Sequence, residues 1–526
     1  MLLVVFGSTS SAHSVELSNF ESALQALNSR GFSDKQEAIN ALGEIKDKRV
    51  AVVLDAMLNG NLYSRESDGV IVVFEKAGDE ITAHEVVSNN VLADINKYDY
   101  TKIRINNSIR IQIRAMLAEL NLNSEEVSER LAAVEQMMKD LVPESEAKLL
   151  QRLAVEQDED VRQVIGITLA LLDVAKEDKN RQLAAINALK GSLYPEVRVA
   201  LHQVINSSSD KTLIKAAQSA ITSIEKKIEL LSNAETVFFG LSLGSVLLLS
   251  AIGLAITFGV MGVINMAHGE LMMIGAYTTY IVQQLMPGAI DYSLFVAVPA
   301  AFVVSGLFGV AIERGVIRHL YGRPLETLLA TFGVSLILQQ LVRTTISAQN
   351  VTVSNPTWMS GSVEIVQGLS LTYNRLYILV FALLVFALLL FILKKTSLGL
   401  QVRAVTQNRQ MARAMGIRSA WVDAMTFGLG SGVAGVAGVA LSQLTNVGPN
   451  MGQSYIIDSF MVVVFGGVGN LWGTLVGAFT LGVANKVIEP WSGAVLAKIL
   501  VLVFIILFIQ KRPRGLFPQK GRVAEN

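Results

Sequence analysis

From Phe238 to Gln510 the chain is a series of apolar runs separated by short polar breaks. Lipid cannot satisfy backbone polar groups, so each crossing has to be a helix of about 20 apolar residues. Candidate spans are roughly 237–260, 264–285, 293–312, 325–342, 376–393, 424–441, 456–468, 472–488 and 494–510. The stretch 456–488 is too long for one crossing and too short for two full helices. It reads as two shortened crossings that meet at "FGGVGNLWG". The expected fold is all-α, with a polytopic helical membrane domain over 237–511 of about eight crossings.

Basic residues set the direction of insertion. The stretch 394–418 carries Lys394, Lys395, Arg403, Arg409, Arg413 and Arg418 and no acidic residue. The end of the chain carries Lys511, Arg512, Arg514, Lys520 and Arg522. Both are expected to be cytoplasmic, which makes 512–526 a cytoplasmic tail. The turn at 313–323, with Arg314, Arg318 and Arg323, is expected on the same side. The long segment 343–375 is mostly polar and suits the opposite side. Counting back through the alternating turns places everything before Thr236 outside. The opening "MLLVVFGSTSSAHS" agrees, because a short apolar core followed by small residues reads as a signal-like segment over 1–14, cleavable after Ala12. It lacks the basic residues that usually precede such a core.

Residues 15–233 are charged and ordinary, and read as an exported, mainly helical domain. One hairpin is expected where "GVIVVFEKAGDEITAHEVV" alternates around Ala77, Gly78 and Asp79. "DEDVRQVIGITLALLD" and "YPEVRVALHQVIN" look like two copies of one unit, with Val161 and Val197 lying 36 residues apart. That period suits a HEAT-like helical solenoid; a general helical bundle is the other reading. "HEVVS" at 84–88 begins like a zinc motif, but Ser88 stands where the second histidine is needed, so no metal site is expected.

Several function classes are excluded. The 44 basic and 44 acidic residues balance, so no general attraction to nucleic acid follows. The chain has no cysteine, which removes disulfides and thiolate chemistry. No Gly-Lys pair occurs, so there is no phosphate-binding loop for an ATPase of its own. No cofactor is expected.

Three constellations stand out in the apolar half. "INMAHGELMMIGAY" places Asn265, His268 and Glu270 in an apolar setting. An ionised side chain at the bilayer centre costs about 2.5–3.5 kcal/mol, so such residues sit near an interface, in pairs or facing water. Glu270 falls near a helix start, where it caps the helix favourably or lines a translocation path; proton relay or catalysis is the remaining option. "FGLGSGVAGVAGVA" spaces small residues at four (Gly428/Gly432 and Gly430/Ala434/Gly438), which lets helices approach closely. "FGGVGNLWGTLVGAF" adds Gly466, Gly467, Gly469, Gly473 and Gly477 at an expected helix break. The third constellation, "LGLQVRAVTQNRQMARAMGI", is patterned as an amphipathic cytoplasmic helix across 403–416 that ends at Gly416.

With those residues in view, "GLAITFGVMGVINMAHGELMMIGAY", "LGLQVRAVTQNRQMARAMGI" and "FGGVGNLWGTLVGA" resemble three hallmark segments of the branched-chain amino acid ABC importer permeases. The resemblance covers about 237–515. It implies a transport subunit that works in the bilayer with a second permease subunit, ATP-binding subunits and a periplasmic substrate-binding protein to move a small-molecule solute. Arg403, Gln410, Arg413 and Gly416 fall in the loop that the resemblance assigns to ATPase coupling. Gln410 stands where many such permeases have glutamate. The long extension before the membrane half is atypical of the amino acid permeases and resembles the urea importer subgroup, which implies urea or a short-chain amide. Branched-chain amino acids are the alternative. An intramembrane enzyme would need a nucleophile and an orienting group near His268, and neither is evident. A membrane sensor with an exported ligand domain would need a cytoplasmic output domain.

Overall fold

A computed structural model of the protein describes residues 20–45, 47–77, 80–88, 90–92 and 99–517. The signal-like segment, Gly78 and Asp79 of the expected turn, and Lys520 and Arg522 lie outside the described residues. The chain divides into two compact units, Met1–Lys227 and Ile228–Asn526.

In the first unit, helices α1 (Phe32–Gly43) and α2 (Lys48–Asn59) bury Ile39, Leu42, Val50, Val53, Leu54 and Met57. Asp47 starts α2 by accepting from Arg49 N. The hairpin read from the alternating pattern is present as β2 (Ile71–Ala77) and β3 (Glu80–Glu85), with Val73 opposite His84 and Ala77 opposite Glu80. It forms part of a larger element. With β1 (Leu62–Arg65), β4 (Val91–Leu92) and β5 (Tyr100–Lys102) it makes a five-stranded antiparallel sheet in the order β4-β3-β2-β1-β5. The outer strands are only two and three residues long, too short for any alternation to announce them.

Helices α3 (Asn107–Asn121), α4 (Val127–Lys139), α5 (Ser145–Val155), α6 (Glu159–Val174), α7 (Lys179–Ala188) and α8 (Pro195–Ser207) follow. Val161 and Val197 occupy the first turns of α6 and α8, and both are fully buried. Between α4 and α6 lies a buried ion cluster. Arg130 Nε donates to Glu156 Oε2 at 2.9 Å, and Arg152 pairs with the same oxygen at 2.8 Å. Burial pushes the Glu156 carboxyl up, but hydrogen bonds from Arg130, the Asp158 backbone and Arg152 outweigh it and hold the group at about 2.

Helix α9 (Lys211–Met261) gives its first turns to the first unit and the remainder to the second. The second unit continues with α10 (His268–Leu285), α11 (Ile290–Gly315) and α12 (Pro324–Thr345). A two-stranded hairpin, β6 (Ser362–Val366) with β7 (Leu369–Thr372), precedes α13 (Tyr373–Lys395). Two short helices, α14 (Ser397–Gln407) and α15 (Arg409–Ala414), lead into α16 (Ser419–Ser442). Helices α17 (Met451–Gly466), α18 (Leu471–Ser492) and α19 (Ala494–Lys511) complete the unit. Among the described residues, seven helices are long and apolar enough to cross a membrane: α9, α11, α12, α13, α16, α18 and α19; α17 is a shorter apolar helix. The polytopic all-α membrane fold expected from the sequence is therefore present.

Helix α16 is the axis of this bundle, with nearly all of its residues buried. Its small residues are the reason. A Cβ on Gly430 would meet the backbone of Gly253 on α9, and one on Gly438 would meet the Met272 carbonyl on α10. A Cβ on Gly275 of α10 would likewise strike the backbone of Gly435. Without a hydrophobic drive between helices in lipid, such backbone approach supplies the packing.

Candidate functional site

Helices α9, α10, α12 and α17 bring their few polar side chains together around the start of α10. Asn265 Oδ1 accepts from Ala267 N at 3.0 Å, and Thr331 Oγ1 of α12 accepts from Met266 N at 3.1 Å. His268 is fully buried, with Nε2 2.8 Å from the Ser250 carbonyl oxygen. A carbonyl only accepts, so Nε2 carries the proton and Nδ1 is left as an acceptor. Ser459 of α17 donates to Ser250 Oγ at 2.8 Å. Glu270 is also buried, and its Oε1 accepts from Ser335 Oγ at 3.0 Å and Gln339 Nε2 at 2.7 Å, both on α12. Glu270 thus bonds to a neighbouring helix, whereas the cap position of its own helix, Ala267, makes no side-chain cap. Glu270 therefore lies in the first turn of α10, as expected, and in addition crosslinks to α12, which puts two donors beside it.

The cluster keeps spare hydrogen-bonding capacity. Glu270 Oε2, His268 Nδ1, Asn265 Nδ2 and the Tyr277 hydroxyl are buried without a protein partner. Each such group costs about 1–3 kcal/mol to leave unmet. Two of the four, Glu270 Oε2 and His268 Nδ1, accept, while Asn265 Nδ2 and the Tyr277 hydroxyl can donate.

A second polar feature was not singled out from the sequence. Lys498 Nζ on α19 lies 3.1 Å from Asp458 Oδ2 on α17. Asp458 is buried, while the Lys498 side chain is 50% exposed. Its signal was available in a lone acid in "YIIDSFMVVVF" and a lone base in "AVLAKILVLVFIILF".

The basic loop departs from the single helix expected over 403–416. Asn408 takes an extended φ of −151°, and its side chain accepts from Met411 N, so α14 ends and α15 begins there. Asparagine favours this because its amide competes for backbone donors. Gly416 follows α15 at a φ of 86°, with Gly416 N bonded to Arg413 O and Ile417 N to Ala412 O, both at 3.0 Å. That is the Schellman arrangement, which favours glycine because it needs a left-handed residue. Arg413 Nε donates to Ser419 Oγ at 2.7 Å, and Arg403 donates to the Leu393 carbonyl. Arg409 pairs with Asp423 and stacks on the Tyr321 ring, turned inward. Gln410 is exposed, and so are Met411 and Met415 beside Gly416, at 61% and 78%.

At the expected break, Gly467 and Gly469 carry φ values of 106° and 81°, and Asn470 caps α18. Gly466 and Gly473 lie on the helical sides of that break. A Cβ on either would strike the other's carbonyl. Gly473 therefore packs α18 against α17 and takes no part in the break itself. Leu516 N and Phe517 N return to bond Phe465 O and Gly466 O at 2.9 and 3.1 Å, which satisfies the end of α17.

The family model for the permease component of branched-chain amino acid transport systems matches residues 236–509. The chain belongs to this permease family. Over 291 residues it is 32% identical to the high-affinity branched-chain amino acid transport system permease protein LivH of Salmonella typhimurium, covering 54% of this chain and 94% of that one. It is equally identical over 287 residues to BraD of Pseudomonas aeruginosa, covering 53% of this chain and 93% of the relative. A probable LivH of Methanocaldococcus jannaschii is 25% identical over 285 residues, 52% of this chain and 88% of the relative. No solved structure matches. The match begins after Lys227, so the first unit of this permease lies ahead of the family region.

Proposed function

We propose that this permease is the membrane subunit of an ABC importer carrying urea or a short-chain amide inward, with energy from partner ATPases. The family match over 236–509 is the observation that carries the importer reading. The solute reading is supported by the unit ahead of that match, which lies outside the family region and is the kind of extension that the sequence resemblance ascribes to the urea subgroup. An uncharged solute such as urea needs donors and acceptors, whereas a zwitterionic amino acid also brings an ammonium and a carboxylate that call for counter-charges. The unfilled groups around Glu270 and His268 include both acceptors and donors. Branched-chain amino acids are the second reading, favoured by the names of LivH and BraD.

In this reading the first unit is periplasmic, which the excess of Lys and Arg in 394–418 supports. A second permease subunit completes the path, a periplasmic binding protein delivers the solute, and the ATPase docks on α15 and Gly416. Uptake of labelled urea and leucine, in a strain deleted for this chain and complemented with it, tests the proposal. Restored urea uptake without leucine uptake is expected. Leucine uptake alone would overturn the solute reading. Failure of both, with the chain inserted and its partner subunits present, would overturn the importer reading.

A further inference from the structure

A crevice of about 650 Å³ opens where the ends of α9 and α13 meet α14 and the start of α18. Its construction follows from the turn after Lys395. Gly399 packs on the Leu393 carbonyl, with no room for a side chain, and folds α14 back against the end of α13. Arg403 then reaches that same carbonyl with one N–H. Its other guanidinium donors have no partner among the described residues, and neither does the Lys394 ammonium beside it. The floor is the close approach of Gly259 to Gly469. Ile256, Leu390 and Trp472 line the wall, and the Trp472 indole is 52% exposed.

The lining contains two cations and no carboxylate. Elsewhere in this loop region the partly buried Arg409 is paired with Asp423, whereas Lys394 and Arg403 are exposed. Lys394 and Arg403 are left open at the mouth of an apolar slot at the helix ends. Unpaired cations above apolar walls match a ligand with an anionic head and a hydrocarbon tail. Basic pockets between membrane helices on the cytoplasmic side, beside an interfacial tryptophan, have the chemistry for lipid headgroups.

We propose that this crevice binds an anionic phospholipid, with its phosphate on Lys394 and Arg403 and an acyl chain along Ile256, Leu390 and Trp472. Arg403 is assigned here to the lipid, while α15 and Gly416 remain the ATPase surface. The lipid lies against α14, one helix ahead of that surface, so its occupancy bears on how firmly the loop is held. The assignment to the cytoplasmic leaflet rests on the topology proposed above; binding itself does not.

The test uses the full chain purified into nanodiscs of phosphatidylcholine with a minor share of phosphatidylglycerol, read by native mass spectrometry after release into detergent. Retained phosphatidylglycerol is expected. The Lys394→Gln/Arg403→Gln pair should lower that retention roughly thirtyfold, about fivefold per cation. Arg403→Lys should keep it, which separates charge from the bond to Leu393, and Lys395→Gln, outside the crevice, should keep it too. Equal retention by the double variant would overturn the proposal. Displacement by millimolar inorganic phosphate would assign the site to a soluble anion instead, and displacement by the ATPase subunits would make it a protein contact; either result overturns the lipid assignment.

Discussion

Gln339 donates its side-chain amide to Glu270 Oε1 at 2.7 Å and so ties α12 to the first turn of α10. Glu270→Gln keeps an oxygen acceptor for Gln339 and Ser335, and should cost no more than about 1 kcal/mol. Glu270→Leu leaves both donors unmet, at about 1–3 kcal/mol each. Thermal unfolding in detergent together with solute uptake checks this. Normal uptake by the Leu variant at normal expression would remove any role for the pair in fold or path.

Gly416 sits at a φ of 86° with open space around its Cβ position. The cost of Gly416→Val is therefore conformational, on the order of 1–2 kcal/mol, and falls on the loop rather than on helix packing. Assembly with the ATPase should survive while transport drops several-fold relative to ATP hydrolysis. Hydrolysis and transport that remain coupled as in the parent would show that the loop does not transmit.

The Asp458–Lys498 pair lends itself to a double-mutant cycle. Asp458→Asn leaves a half-exposed cation in an apolar helix, and Lys498→Met leaves a buried carboxylate. Each single change should reduce assembly or uptake, and Lys498→Met more than Asp458→Asn, because it leaves the buried carboxylate without its partner while the half-exposed cation can be solvated. The double variant should recover much of the loss. Additive losses would mean that the two residues act separately.

Glu156 contributes to the acid stability of the first unit. Its folded carboxyl is held at about 2, below the ordinary carboxylate range. The stabilisation is complete above the unfolded value and is lost as pH falls toward 2. Glu156→Gln should lower the melting temperature at neutral pH and flatten the acid limb between about pH 4 and 2. An acid limb identical to that of the parent would place the responsible group elsewhere.

Much of this was legible in the residues, and the exceptions share a cause. Apolar runs marked the spans, and the four-residue spacing around Gly430 and Gly438 marked close packing, because both are local periodicities. The position of Gly416 was readable for the same reason. What escaped depends on partners distant in the chain. Glu270 reads as a cap until Ser335 and Gln339 arrive from α12. Asp458 and Lys498 mean little until their helices face each other. Asn408 was hidden in a good amphipathic pattern that one side-chain bond interrupts.

The return of Leu516 and Phe517 to the end of α17 bears on how the protein can be handled. A purification tag or fluorescent label joined directly at Lys511 would discard the two N–H groups that close α17, along with the Phe517 carbonyl that accepts from Asn470 at 3.2 Å. An attachment beyond Phe517 spares all three. A protease nick between these two points would loosen the α17–α18 corner without cutting a single membrane helix.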